Sequence, residues 1–522
     1  MEEIGRIIEE STPRGFLFKV TGDKPIAEHD YVFVEMSQPK AHGKVEKIQV
    51  LAEVVALGAK NPLATERLAA TAEASEYSYK LVATEILGYL NENGKIVRPT
   101  VAADPNSPVF RADDKMLQTY FKGLESEIPL NIGRLLNRPE VNVPIHLQAL
   151  QFHLGVFAAT RAGKSYLSGR FIEEILLNTP FPVLVFDIHA DYVKMDQLVK
   201  SREKHGDFDV IVYHPPNLKK IEGLTADWRE LNVSPQQMTN EAIAELLGGG
   251  LGPRQAIALR SIIRDLRKRN KPFGMADILV KIEDKLGEKD EEKKNVLKGT
   301  DRTRYESLRD RLEDLQEDVT LPSEKMDIEA FFKPHSLNIV CLNGLRDRVQ
   351  DAYVSIILDL IFRHVTKPES DRASRALFIF VEEAHRVASK AAGESRYSVK
   401  TISTVMREGA KFGMFLTLIS QRPRNIEPDI LSNIGNYAVL RINNQGDQQM
   451  IEDASESFSH RLVRDLPSLN QGEAVLVGPF VPLPAHVETL ERRTVHFGVT
   501  PNLKSIMNQI NSKMKKAEKS KW

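Results

Sequence analysis

Residues 155–169 read GVFAATRAGKSYLSG; they follow a largely apolar stretch, Leu147–Leu154, and open into Tyr166–Leu177, whose apolar residues recur at helical spacing. An apolar strand that breaks at small residues and restarts as a helix at Gly163-Lys164-Ser165 is how a chain builds a phosphate cradle. Peptide N–H groups and the positive helix end then face the same anion. The expected nucleotide contacts are Ala159, Thr160, Arg161, Ala162, Gly163, Lys164, Ser165 and Tyr166. Lys164 would neutralise the β- and γ-phosphates of ATP, and Ser165 would place its hydroxyl on Mg²⁺. The pattern G-x-x-x-x-G-K-[ST] begins with glycine, where this chain has Ala158. Alanine suffices if the position needs only a small side chain, and costs about 1 kcal/mol if it needs a positive φ. Since Gly-Lys-Ser also occurs in ordinary loops, the rest of the chain has to decide.

The second half of an ATP site stands far downstream. Ala376–Val381 (ALFIFV) is a continuous apolar run that ends in Glu382-Glu383-Ala384-His385. Of two acids at a strand tip, one reaches Mg²⁺ through water and the next orients the attacking water, here Glu382 and Glu383 respectively. Paired acids could equally open a helix, stabilised by its dipole. Pro182–Phe186 (PVLVF) ends in Asp187, and Met414–Ile419 ends in Ser420-Gln421-Arg422-Pro423. Strands apolar on both faces belong in a covered parallel sheet, with ligands at their carboxyl ends. Gln421 is therefore expected to sense the γ-phosphate or the lytic water. Further strands are expected at Asp209–Tyr213, Ser336–Leu342, Ala438–Ile442 and Glu473–Val477. Strand, loop, helix and strand in succession give an α/β fold.

The 522 residues allow two or three domains. Charged residues make up 27% and cancel to −1, so any basic surface is local. Cys341, the single cysteine, lies in an apolar run and reads as a buried thiol in a reducing compartment. No segment approaches the length of a membrane span, and the acidic start MEEIGRIIEE is unlike a signal peptide, so a cytoplasmic protein without membrane contact is expected. Residues 1–100 carry Phe16–Val20, Tyr31–Glu35, Lys44–Leu57 and Tyr77–Leu90 between turn-forming residues, which suggests a small β-barrel for assembly or partner docking, with a short helix at Ala64–Ala74. Beyond it, a connector is expected over 101–146 and a basic tail over 491–522. The ATPase core is expected in two segments, 147–220 and 331–490, separated by a helical insertion over 221–330. In the tail, Ile506, Ile510 and Met514 fall at helical spacing ahead of SKMKKAEKSKW.

As a set, NIGRLL…VPIHL, the phosphate loop, VFDIHADY, IFVEEAH, VMREGAKFG and LISQRP resemble, in that order, the HerA branch of the HerA–FtsK ATPases. The resemblance implies a RecA-like P-loop ATPase core with an N-terminal barrel and a helical insertion. It also implies a homo-hexameric ring around double-stranded DNA and partnership with a NurA-type nuclease in processing DNA ends. By the same resemblance Glu383 is the catalytic acid with Glu382 beside it, Asp187 is the supporting acid, Gln421 the sensor, and Arg407 the arginine that a neighbouring subunit inserts into the site. An arginine given in trans couples hydrolysis to ring geometry. Two departures stand out: Arg161 adds a positive charge to the cradle, and Phe152 stands where a second trans-acting arginine is expected.

The expected function is an ATP-driven DNA translocase or helicase in recombinational repair, whose pore loops carry Lys or Arg for phosphates and no base-reading side chains. Residues 386–400 (RVASKAAGESRYSVK) have that composition, with Lys390 and Arg396 as the DNA contacts. The alternatives are a P-loop motor acting on protein, for which DNA would not stimulate hydrolysis, and a nucleotide-binding assembly protein without turnover.

Overall fold

The computed structural model describes residues 2–40, 45–60, 79–122, 128–216, 220–248, 250–287, 299–367, 375–389, 397–455 and 458–498, and residues 503, 504, 507, 508, 510 and 511 of the tail. They form two compact units. The first comprises Met1–Glu174, Ser420–Arg424 and Leu431–Glu491; the second comprises Ile175–Ile419, Asn425–Ile430 and Arg492–Trp522.

The first unit begins with β1 (Glu3–Thr12), β2 (Gly15–Val20), β3 (Tyr31–Pro39), β4 (Val45–Lys60), β5 (Tyr79–Leu90), β6 (Ile96–Val97) and β7 (Pro108–Arg111). Their order is β2-β1-β7-β3-β4-β5-β6, and a further pairing of β2 with β5 closes six of them into a barrel. Inward positions alternate along the strands, and Phe18, Val32, Val34, Val50, Val54, Val82 and Val109 are fully buried inside. Burial of each such side chain contributes on the order of 2 kcal/mol. Two of the six strands escaped the sequence reading. The charged stretch GRIIEEST hides β1, and β7 lies within the stretch assigned to the connector.

Two more strands, β8 (Pro129–Leu135) and β9 (Arg138–His146), form a hairpin from the NIGRLL…VPIHL segment. Within the first unit they extend a row running β10 (Leu154–Phe157), β17 (Asn436–Leu440), β18 (Glu473–Val477), β19 (Ala485–Thr489), β8, β9. The pair β10 and β17 is parallel, and the rest are antiparallel. The expected strand over Leu147–Leu154 is corrected. Leu147–Phe152 is a 3₁₀ turn, and extended backbone begins only at Leu154. Asn436 causes this: its Nδ2 donates to the carbonyls of Ala149 (2.7 Å) and His153 (2.9 Å), holding the turn closed against β17.

The second unit holds a parallel sheet in the order β13 (Asp227–Glu230), β12 (Asp209–His214), β14 (Ser336–Cys341), β11 (Val183–Asp187), β15 (Leu377–Val381), β16 (Met414–Ser420). Every residue of β11, β14 and β15 is buried, as strands covered on both faces must be. Between β13 and β14 come helices at Asn240–Leu246, Pro253–Lys268, Met275–Gly287 and Thr300–Asp318, the expected helical insertion. The helix expected at Ala64–Ala74 lies outside the described residues, as do Ile506 and Met514 of the tail. Among the described residues no helix is long and apolar enough to cross a membrane.

Candidate functional site

The cradle belongs to the first unit. From β10 the chain passes through Ala158, Ala159, Thr160, Arg161, Ala162 and Gly163 into the helix Lys164–Asn178. Three backbone hydrogen bonds pin the loop: Ala158 N to the Ser420 carbonyl (3.2 Å), Ala159 N to the Arg441 carbonyl (2.8 Å), and Gly472 N to the Ala162 carbonyl (3.1 Å). Ala158 is fully buried and is not among the positive-φ residues, so a small side chain is all that its position demands. The left-handed position of the loop is Arg161, with φ 64°, a conformation that costs about 1 kcal/mol for a residue with a Cβ. Gly163 has φ 108°, and a Cβ there would meet nothing closer than 3.5 Å, so the dihedral rather than space calls for glycine.

The helix starts at Lys164 directly after that glycine, so its positive end and the Lys164 stem share one mouth. Residues 163–166 are half-buried, and Thr160 and Arg161 are exposed. This donor set, with the Ser165 hydroxyl one residue into the helix, fits a Mg²⁺-bound polyphosphate. Gln421 is brought to it, its Oε1 accepting a 2.7 Å hydrogen bond from Thr160 Oγ1. Further along the same helix, buried Arg170 donates to the Asn131 carbonyl (3.1 and 3.0 Å) and pairs with Glu173 and Glu174, while Glu174 Oε2 accepts from Asn131 N (2.6 Å). The NIGRLL strand is thereby locked to the cradle's helix. Phe152 is 48% exposed at the end of the 3₁₀ turn.

The acids belong to the second unit. Parallel register pairs Phe186 with Val381, so Asp187 and Glu382 leave neighbouring strand tips together. Asp187 is fully buried, its two oxygens accepting from Asp191 N (2.9 Å) and Tyr192 N (3.0 Å). Burial, reinforced by the charge of Asp191, pushes its carboxyl up to about 7. Glu382 is 2% exposed and accepts a 3.1 Å hydrogen bond from the Tyr192 hydroxyl. Burial, and then the neighbouring Glu382 charge, raises that phenol well above its ordinary range.

Glu383 has left-handed backbone (φ 46°, ψ 42°) ahead of the short helix Ala384–Val387, yet its side chain makes no capping hydrogen bond. Instead the carboxylate faces two imidazoles, with His385 Nδ1 at 3.2 Å and His189 Nε2 at 3.9 Å. Tyr192, His189 and His385 are the residues that sequence reasoning left without a role, although all three stand inside the quoted motifs VFDIHADY and IFVEEAH.

Arg407 is exposed in the last turn of the helix Tyr397–Glu408 and forms no ion pair among the described residues, with Glu408 or any other acid. Lys390 and Arg396 lie outside the described residues. Arg386, in the short helix Ala384–Val387, is tied to Asp351 (2.9 Å) and Gln350 (2.9 Å).

The fold and loop define the class first, that of P-loop ATPases. Two solved structures share the fold: VirB4 of Thermoanaerobacter pseudethanolicus (TM-score 0.50, 14% identity, 70% of this chain and 97% of that one) and the bacterial conjugative coupling protein TrwB (TM-score 0.51, 15% identity, 74% and 94%). Within that class the sequence is similar to HerA helicases. The family described as "Helicase HerA, central domain" matches residues 130–361. The DNA double-strand break repair helicase HerA of Saccharolobus solfataricus is 25% identical over 93% of this chain and 91% of its own length. The protein of the same description from Sulfurisphaera tokodaii is 28% identical over 79% of this chain and 78% of its own.

Proposed function

We propose that this protein is a HerA-type, homo-hexameric motor that hydrolyses ATP to move along double-stranded DNA, working in the cytoplasm with a NurA-type nuclease in the processing of DNA ends. The observation that carries the reading is the Gly163-Lys164-Ser165 cradle with Gln421 hydrogen-bonded to it through Thr160, in a chain whose residues 130–361 match the HerA central-domain family. The DNA and repair vocabulary of its relatives' names supports the substrate.

Lys164 and the peptide groups at the helix start would hold the phosphates, and Ser165 and Glu382 are the residues that would hold Mg²⁺. Bound there, Mg²⁺ neutralises charge on the phosphate oxygens. Glu383 orients the attacking water and takes up its proton, with His385 and His189 beside the carboxylate to fix its direction. Tyr192 keeps Glu382 in place. Gln421 reports the state of the terminal phosphate to the loop through Thr160. Arg407, exposed and without an ionic partner among the described residues, supplies transition-state charge to the site of the next subunit. Lys390 and Arg396 contact the DNA backbone.

The test is the ATPase rate with and without linear duplex DNA across a salt series. Stimulation by DNA that fades as salt rises is the expected result, because phosphate contacts release counterions. A rate indifferent to DNA at every salt concentration would refute the motor on DNA and leave a protein-handling ATPase.

A further inference from the structure

Remote from the cradle residues in sequence, the first unit gathers His29, Glu53, Arg461, Asp465 and His486, and the ATPase chemistry uses none of them. His29 precedes β3, Glu53 lies in β4 of the barrel, Asp465 ends the helix His460–Asp465, and His486 lies in β19. Among the described residues, His29, Asp465 and His486 are the group of ligating side chains whose donor atoms all fall within 4.8 Å of one another. Asp465 Oδ2 is 3.4 Å from His486 Nε2 and 3.9 Å from His29 Nε2, and the two imidazoles lie with centroids 3.9 Å apart.

We propose that His29, His486 and Asp465 bind a divalent transition-metal ion, zinc foremost, and that this ion fastens the barrel to the sheet that carries β19. The donor set is two imidazole nitrogens and one carboxylate oxygen, which suits Zn²⁺ and excludes Ca²⁺ or Mg²⁺ as the natural occupant. Around a tetrahedral zinc with bonds of about 2.0–2.1 Å, donors stand roughly 3.3–3.4 Å apart. The observed separation of 3.4 Å already fits, and that of 3.9 Å needs a contraction of about half an ångström. Two donor atoms, His486 Nε2 and Asp465 Oδ2, are buried without a hydrogen-bond partner, although they lie within ion-pair range of each other. An ion between them would satisfy both.

The supporting shell has the form that metal sites use. Glu53 is 1% exposed, and its Oε1 sits 2.8 Å from His29 Nδ1 and 3.8 Å from His486 Nδ1. A carboxylate on Nδ1 fixes the tautomer that leaves Nε2 as a lone pair. Arg461 holds Glu53 in turn (2.7 Å) and also reaches Glu85 (3.1 Å). Burial works against the charge of Glu53, but His29 and Arg461 hold its carboxyl down to about 2. His29 itself carries φ 65°, a left-handed strain that the surrounding contacts sustain. An imidazole binds a metal only through a nitrogen that has lost its proton. Metal uptake should therefore release protons and weaken towards acidic pH.

The experiment uses the untagged full-length chain, stripped with a chelator and titrated with Zn²⁺ against a chromophoric competitor, with Co²⁺ as spectroscopic surrogate. Lys164→Ala serves as background to remove contributions from the cradle. Expected are one zinc per chain and the visible d–d bands of tetrahedral cobalt. His29→Gln, His486→Gln and Asp465→Asn should each lose at least tenfold in affinity, and Glu53→Gln, which removes only the supporting carboxylate, roughly 10- to 100-fold. Absence of both zinc uptake and cobalt bands in the parent chain overturns the assignment, and that readout needs no folded variant. So does uptake that persists unchanged in the His29 and His486 variants.

Discussion

Asn436 touches no predicted nucleotide contact, yet the geometry makes it a hinge-pin of the cradle. Its Oδ1 accepts from Phe480 N (2.9 Å), and its Nδ2 bridges the carbonyls of Ala149 and His153 at 2.7 and 2.9 Å, all out of reach of solvent. Asn436→Ala leaves at least the Ala149 carbonyl and the Phe480 amide without these partners; the His153 carbonyl keeps the Asn436 backbone amide at 3.2 Å. Two orphaned buried groups at about 1–3 kcal/mol each give a loss of roughly 2–6 kcal/mol. The same side chain restrains His153, whose φ of 59° and ψ of 162° are strained and immediately precede β10. Hydrogen exchange suits a chain of two units better than a single unfolding midpoint. A loss of about 2 kcal/mol corresponds to roughly 30-fold faster exchange. The amides of Val156, Phe157, Ala438 and Val439 should speed up by at least that factor, and affinity for a fluorescent ATP analogue should fall with it. Exchange within about threefold of the parent, less than about 1 kcal/mol, would refute the reasoning.

Other expectations are more local. Cys341 is fully buried, and burial together with the nearby Asp187 pushes its thiol up to about 12, so a disulfide reagent at mildly alkaline pH should leave the native chain unlabelled and label it only in denaturant. Rapid native labelling would contradict that placement. The Asp187 carboxyl is raised to about 7 in the folded state, so the folded chain keeps a proton that the unfolded chain loses from about pH 4 upward. Its contribution to stability is full below that range and is lost as pH rises through about 7. Urea midpoints of the nucleotide-free protein should therefore show a flatter pH dependence for Asp187→Asn than for the parent, and parallel curves would refute the assignment. Mixing Arg407→Ala subunits with Glu383→Gln subunits should restore some hydrolysis if the arginine acts across a subunit boundary, because a Glu383→Gln subunit then lends its intact Arg407 to the site of an Arg407→Ala neighbour, which keeps Glu383. Mixtures no more active than either variant alone argue against action in trans.

The sheet strands were legible because burial on both faces writes an unbroken apolar run, as in PVLVF, SLNIVC and ALFIFV, and the acids at their tips stand out by contrast. The barrel was legible only to a degree. β1 carries Glu9, Glu10 and Ser11 among its apolar residues, and the four-residue β7 is too short to show alternation. The 3₁₀ turn at Leu147–Phe152 was hidden for another reason: it is set by Asn436, hundreds of positions later, and local pattern cannot show a distant hydrogen bond. The left-handed position of the cradle was equally invisible, since it falls on Arg161 rather than on Ala158, where the departure from the motif drew attention. Of the proposed catalytic residues, Lys164, Ser165, Glu382 and Glu383 could be read from motif and strand tip. Tyr192 and the imidazoles of His189 and His385 could not, because only folding brings them against the acids. The His29, Asp465 and His486 cluster is the extreme case, assembled from three distant segments with no ligand spacing to betray it.

A motor of this kind requires Lys164 and Glu383 to serve one hydrolytic reaction. Steady-state ATP turnover of the parent chain, Lys164→Ala and Glu383→Gln, each measured with Mg²⁺ and duplex DNA, addresses that directly. Both variants should lose about a thousandfold or more, as expected when phosphate binding or activation of the attacking water is removed, and Glu383→Gln should still bind ATP. Turnover at the parent rate in either variant would contradict it.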